Sequence, residues 1–242
     1  MTHIHAVLAH KDFEMPNKYY FDFNKVICFS QQPIITNLEN VVYKTEGYDD
    51  RLVGEYAIWQ YLLDNYKDVD WFSLHHYRRI LNLYYEHFCV VKPVYFNCSL
   101  IQQTVSCHSV KLAQILEAIL PKEDFEYFCR TNMLIPYNMM HIRRDVLTEW
   151  CKFIKFYIDK VFEILGTSDY DTLLEQMKKD ETFTSNVLPN GQVNESKNCD
   201  PAYQVRIVAF LTERLNTLFW AKNMHLQPYY CEVDLLENNQ KI

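Results

Sequence analysis

A chain of 242 residues that is 49% hydrophobic holds enough apolar material for one sizeable core, and only four glycines and eight prolines exclude a low-complexity or collagen-like chain. A formal net charge of −7 excludes the broad basic footprint of a nucleic-acid binder. Eight cysteines at irregular spacing form no C-x-x-C pair, which predicts free thiols in a reducing compartment. With no leader-like start and no apolar run long enough to span a bilayer, a cytoplasmic protein is expected, peripheral to the membrane at most.

Residues 3–9 form an apolar run that ends at His10-Lys11-Asp12, as a first strand delivering a polar loop does. Residues 26–29 predict a second strand, and residues 30–50 read as polar and irregular. Val53, Tyr56, Ala57, Trp59 and Leu63 recur near helical spacing and predict a helix over 52–65, capped by Asp49 or Asp50. Residues 69–74 read as a strand that stops at His75-His76-Tyr77-Arg78-Arg79. Short strands follow at 90–91 and 94–96, then a helix over 110–120 stopped by Pro121, a helical turn at 125–129 and a strand at 132–136. A long amphipathic helix spans 144–165 and closes on Gly166. Residues 166–200 predict a short helix and a mobile loop region, residues 201–220 a last helix, and the tail carries no clear pattern. Strands alternating with helices predict an α/β fold, a mixed and mostly parallel sheet flanked by helices, with no composition shift to divide residues 1–242 into separate domains.

No G-x-G-x-x-G follows the first strand and no G-x-x-x-x-G-K-[ST] occurs, so a glycine loop is not the phosphate cradle. The histidine and arginine cluster at 75–79 is the strongest chemical signal. Arginine forks match phosphate oxygens, and ligands of open α/β sheets sit at the carboxyl ends of strands. The alternative is an arginine pair bridging surface carboxylates. Glu213-Arg214 lies inside an apolar helix with Arg206 seven residues earlier on the same face. That carboxylate reads as a general base, or as the salt-bridge partner of Arg206 or Arg78. Metal readings are weaker: Asp68-Val69-Asp70 has the D-x-D form but precedes its strand, and Cys98 to Cys107-His108 lacks zinc spacing.

Five segments occur in a familiar order: Ala9-His10-Lys11, the helix bearing Glu55 and Trp59, His76-Tyr77-Arg78-Arg79, Asn132-Met133-Leu134-Ile135, and Phe210-Leu211-Thr212-Glu213-Arg214-Leu215. On these the chain resembles a family of bacterial capsular-polysaccharide and lipopolysaccharide biosynthesis glycosyltransferases with a His-Tyr-Arg-Arg motif, long carried as a domain of unknown function. It departs at Tyr48-Asp49-Asp50-Arg51, where the family has a glycine-rich approach to the first helix.

The resemblance implies a single GT-A-like domain that transfers a sugar from a nucleotide-diphosphate donor, UDP-sugars favoured, to a glycan or lipid-linked glycan. The candidate donor-binding residues are His10, Lys11, Asp50, His75, His76, Tyr77, Arg78, Arg79, Asn132 and Arg214. Arg78 and Arg79 would do a metal's work on the leaving diphosphate, with Mn²⁺ or Mg²⁺ left open beside them. Glu213 is the first candidate for the catalytic base and Asp145 the second. Contact with a partner enzyme or the membrane surface would supply a lipid-linked acceptor. The competing readings are a non-catalytic glycan- or nucleotide-binding relative and a metal-dependent phosphohydrolase.

Overall fold

The computed structural model describes residues 2–16, 26–43, 47–84 and 86–236. Strand β1 (His3–Ala9) is buried on both faces, as expected of a strand inside a parallel sheet. It pairs in parallel with β2 (Val26–Ser30) on one edge and with β4 (Trp71–His76) on the other. Beyond β2 lies β3 (Asn40–Val42), also parallel. Beyond β4 come β9 (Met140–Arg143), β6 (Cys89–Val91) and β10 (Tyr229–Cys231). A side branch pairs β5 (Arg79–Leu81) with β4 and with β11 (Val233–Leu235). Only β5 and β9 run against the rest, so the sheet is mixed and mostly parallel. A second, two-stranded sheet joins β7 (Val94–Tyr95) to β8 (Met133–Leu134).

Side-chain alternation divides the strands between two cores. Ile4, Ala6, Leu8, Phe72 and Leu74 face the helices, where Trp59, Trp150 and Trp220 are fully buried. Val7, Ala9 and Cys28 face a smaller cluster closed by Phe13, Met15, Leu38 and Tyr77. The helices of the larger core include α2 (Glu55–Asn65), α3 (Leu100–Cys107), α4 (Val110–Ile119), α5 (Lys122–Arg130), α6 (Arg144–Leu165) and α7 (Tyr170–Lys179). Short helices α8 (Glu181–Thr184) and α9 (Pro201–Gln204) lead to α10 (Ile207–Lys222), which packs on α6. The region expected to hold a short helix and then a mobile loop contains two helices, α7 and α8, followed by a small antiparallel bridge, Val187 with Val193. No helix among the described residues is long and apolar enough to cross a membrane.

The helix expected over 52–65 is broken at Gly54. A short α1 (Asp50–Val53), capped by Asp49, ends there, and α2 begins at Glu55. Gly54 has φ 59° and ψ −135°, a conformation available almost only to glycine. A Cβ built on it would lie 3.2 Å from the Cβ of Ala209 on α10. The break therefore lets α10 approach and sets Glu55 at the start of a new helix axis. Gly54→Ala is expected to lower stability by about 1–3 kcal/mol in urea unfolding, from backbone strain and the close contact together; an unchanged midpoint would contradict this.

Candidate functional site

A parallel strand whose two neighbours are followed by opposite connections leaves a crevice outside the carboxyl ends. Here that place is the end of β1 beside the end of β4. Leu8 is in register with His76, and both point to the helix side. His10, two residues past Leu8, continues on that side, and the His10 and His76 rings lie 5.4 Å apart.

The His-Tyr-Arg-Arg segment is a tight hairpin rather than a loop after the strand. β4 runs through His76, which pairs with Arg79, so Tyr77 and Arg78 form the connection. The Tyr77 backbone N–H donates to the Leu8 carbonyl at 2.8 Å, fastening the hairpin to β1. Tyr77 itself is buried beside Phe13 in the smaller core, whereas Arg78 and Arg79 border the cleft.

Two cavities meet at this point. One, of about 540 Å³, includes Gln31, Gln32, Asp50, Tyr170, His10, Glu55 and Arg206 in its lining. The other, of about 430 Å³, is lined by His76, Arg78, Arg79, His108, Tyr137 and Glu213, and shares His10, Glu55 and Arg206 with the first. Among the described residues, Arg78, Arg79 and Arg206 form no ion pair. Arg79 lies 4.5 Å from the Tyr137 ring centre and Arg78 5.0 Å from that of Tyr77.

The imidazoles do not add to this positive charge. Burial lowers the His10 pKa, helped by Arg206 and Arg78. Burial, with His10 and the arginines nearby, pushes His76 down to about 3. His108 is pushed down to about 2 by burial and by Arg214, Lys197 and Arg206. At neutral pH all three rings are uncharged. The carboxyl of Glu55 moves the other way: burial, with Glu213 close by, raises it to about 7. The residue is half-buried and belongs to the lining that both cavities share.

Glu213 is the exception on a buried helix. Every residue of α10 from 207 to 220 is buried apart from Glu213, which reaches the cleft. It accepts the Tyr137 backbone N–H at 3.0 Å and lies 3.4 Å from Arg214. Arg214 is fully buried and held by Gln103 at 2.8 Å, Thr104 at 3.2 Å and the Phe210 carbonyl at 2.9 Å. It locks α3 to α10 and orients Glu213 without reaching the cleft.

Of the residues expected from sequence, His10, Asp50, His76, Arg78, Arg79 and Glu213 line the two cavities. Alternation sends His75 to the opposite face of the sheet, where it is buried against His5 with ring centres 5.7 Å apart. Lys11 is exposed and lines neither cavity. Asn132 donates to the Phe96 carbonyl at 3.0 Å, next to the two-stranded sheet and outside the cleft lining. Asp145 is bound to Arg143 at 2.7 Å on the surface at the start of α6 and lines neither cavity. Glu55, Arg206, Tyr137 and His108 complete the site. Glu55 and Arg206 had sequence signals, the first in the helix that carries the family resemblance and the second seven residues before Glu213; His108 was noted only beside Cys107 in a spacing unsuited to zinc, and Tyr137 had no signal. Among the described residues, no group of three or more His, Cys, Asp or Glu side chains is placed to hold a metal ion, and Glu55 and Glu213 share their cavity with Arg78, Arg79 and Arg206.

No protein-family model matches the chain, and no curated protein sequence matches it. Among solved structures, the fold is similar to the apo structure of WbbM, a bifunctional glycosyltransferase, with a TM-score of 0.60 and 11% sequence identity. The likeness covers 98% of this chain and 46% of that one, so the chain spans less than half the length of this structural neighbour.

Glu55 gives a test of the site's electrostatics. Its folded pKa, about 7, lies above the ordinary value of 4.5. The native state therefore binds more protons than the unfolded chain between these values, and stability falls as pH rises through that window. The penalty, about 3 kcal/mol by order of magnitude, is complete above pH 7 and absent below 4.5. Glu55→Gln is expected to melt higher than the wild type at pH 8, with the gap closing toward pH 4.5. A gap independent of pH would refute the raised pKa.

Proposed function

We propose that the chain is a glycosyltransferase that moves a sugar from a nucleotide-diphosphate donor, with UDP-sugars favoured, to a glycan acceptor in surface polysaccharide synthesis. The observation that carries this reading is the convergence of Arg78, Arg79 and Arg206, free of ion pairs among the described residues, on the crevice between β1 and β4. Three guanidinium groups facing one cavity repel one another, and a bound anion relieves that repulsion. The likeness of the fold to a glycosyltransferase supports the same reading.

In this assignment the larger cavity takes the nucleoside. Tyr170 offers a ring to the base, and Asp50 an acceptor for the ribose hydroxyls. The diphosphate lies toward the three arginines, with uncharged His10 and His76 as neutral hydrogen-bond partners. The sugar then projects into the smaller cavity, between the diphosphate and the carboxylates of Glu55 and Glu213.

During transfer an acceptor hydroxyl oxygen forms a bond to the anomeric carbon. The bond from that carbon to the diphosphate breaks, and its electron pair leaves with the nucleoside diphosphate. The arginines stabilise the charge that grows there. The hydroxyl proton goes to a carboxylate. Glu55 suits this role because its pKa lies near neutral pH, where a base combines availability with strength. Glu213 helps to raise that pKa and holds the Tyr137 turn. No step is assigned to a divalent ion.

A thermal-shift screen with UDP, GDP, CMP and TDP and their sugars, with and without Mn²⁺, tests the reading. One nucleotide at a hundred times its Kd is expected to add about 2.7 kcal/mol to stability, a shift of several degrees. Arg78→Ala is expected to remove most of it, since a charged hydrogen-bond partner is worth about 1.5–3 kcal/mol. No shift with any nucleotide would favour a non-catalytic glycan-binding relative.

A further inference from the structure

A third cavity, of about 300 Å³, adjoins the second and shares Arg79 and Tyr137 with it. The three cavities are therefore neighbours in a row, sharing first His10, Glu55 and Arg206 and then the Arg79–Tyr137 stack. This third part lies between the main sheet and the small β7–β8 sheet, with Val91 and Val233 on one side and Val94 and Pro136 on the other.

Tyr137 is placed there at a cost in backbone energy. Tyr137 and Asn138 have φ 71° and 49°, left-handed values that disfavour residues other than glycine. The turn is held from below. Glu213 accepts the Tyr137 N–H, Asn138 bonds the Thr212 hydroxyl at 3.0 Å, and the Asn138 carbonyl accepts the Trp59 indole N–H at 3.0 Å. The Asn138 amide also reaches Glu55 at 3.5 Å, a long contact. The same strained turn thus touches Glu213 and Glu55 and sets a phenol ring between two cavities.

The chemistry of the third cavity differs from that of the other two. Among the described residues its one ammonium group, Lys92, is paired with Glu232, and the shared Arg79 is the one cation of its lining outside an ion pair. Its walls are the rings of Pro93, Pro136 and Tyr137 with Val94 and Leu235, and Leu235 is 71% exposed. Apolar rings rimmed by one ion pair suit a neutral ligand with a C–H face and many hydroxyls.

We infer that this third cavity is the acceptor subsite, that it takes a neutral pyranoside, and that Tyr137 is the residue separating donor from acceptor. The inference rests on the transferase reading for its direction. A sugar seated beyond Tyr137 presents a hydroxyl to Glu213 and Glu55 from the side opposite the nucleotide. Tyr137 then acts as a specificity and positioning residue for the acceptor.

The test measures saturation-transfer difference NMR with methyl β-galactopyranoside, methyl α-glucopyranoside, methyl α-mannopyranoside and methyl N-acetyl-β-glucosaminide, and UDP binding by thermal shift. Wild type is compared with Tyr137→Ala and with Val94→Asp and Leu235→Asp, whose exposed positions carry little folding risk. At least one glycoside is expected to give signals in the wild type, reduced fivefold or more, roughly, in Tyr137→Ala and in one outer-wall variant, with the UDP shift retained in Val94→Asp and Leu235→Asp. Nucleotide binding without any glycoside signal, or glycoside signals that survive all three substitutions, would overturn the subsite. If glycosides bind in a Tyr137-dependent way while no nucleotide shifts the wild type, the transferase reading fails and the sugar site stands.

Discussion

β1 has two edges, and β2 occupies one while β4 occupies the other. The chain leaving β1 and the chain leaving β4 go on to different neighbours, and a crevice opens outside their carboxyl ends. Everything distinctive about the cleft follows from that constraint. Strand alternation then selects which residues enter it: Leu8 and His76 share a face, and His75 is excluded because it is one residue out of phase. The two-residue hairpin carries Arg78 and Arg79 back over the same opening, pinned by the Tyr77 N–H to β1.

Charge in the cleft is arranged by burial more than by pairing. The arginines remain charged, the three histidines are held neutral, and Glu55 is held near the midpoint of its titration. The cation that is deeply buried, Arg214, is satisfied by α3 and by its own helix, and it is spent on orientation rather than on ligand. Its neighbour Glu213 connects α10 to the Tyr137 turn. Gly54 completes the arrangement from the other side by letting α10 close on the start of α2, where Glu55 begins the helix. Fold and site are coupled here, because the residues that bring the helices together are adjacent in sequence to those that line the cleft.

Local patterning made the strand at 3–9, the strand at 26–29 and the helix at 144–165 legible, and it marked 75–79 as the place of chemistry. It missed α3, whose cap at Ser99 and Gln102 is a local signal, and the short strands it missed depended on pairing between distant residues. β5, β9 and β3 are three or four residues long and exist because β4, β6, β11 or β2 lies beside them. The strand expected over 132–136 shrinks to two residues because β7, its partner, is equally short. Asp145 looked like a possible base because sequence shows its type and not its distance; Arg143 holds it on the surface. Arg206 and Glu213 were placed together by their seven-residue spacing, and they do share the cleft. Tyr137 gave no signal, since a left-handed tyrosine is set by the contacts beneath it and not by its own sequence context.

The central claim is that the crevice between β1 and β4 binds a diphosphate through Arg78, Arg79 and Arg206. The most direct measurement is a crystal structure of the chain with UDP bound. Phosphate oxygens within about 3 Å of at least two of those guanidinium groups, with the uracil toward Gln31 and Tyr170, are the predicted result. A diphosphate seated away from all three arginines would contradict the account.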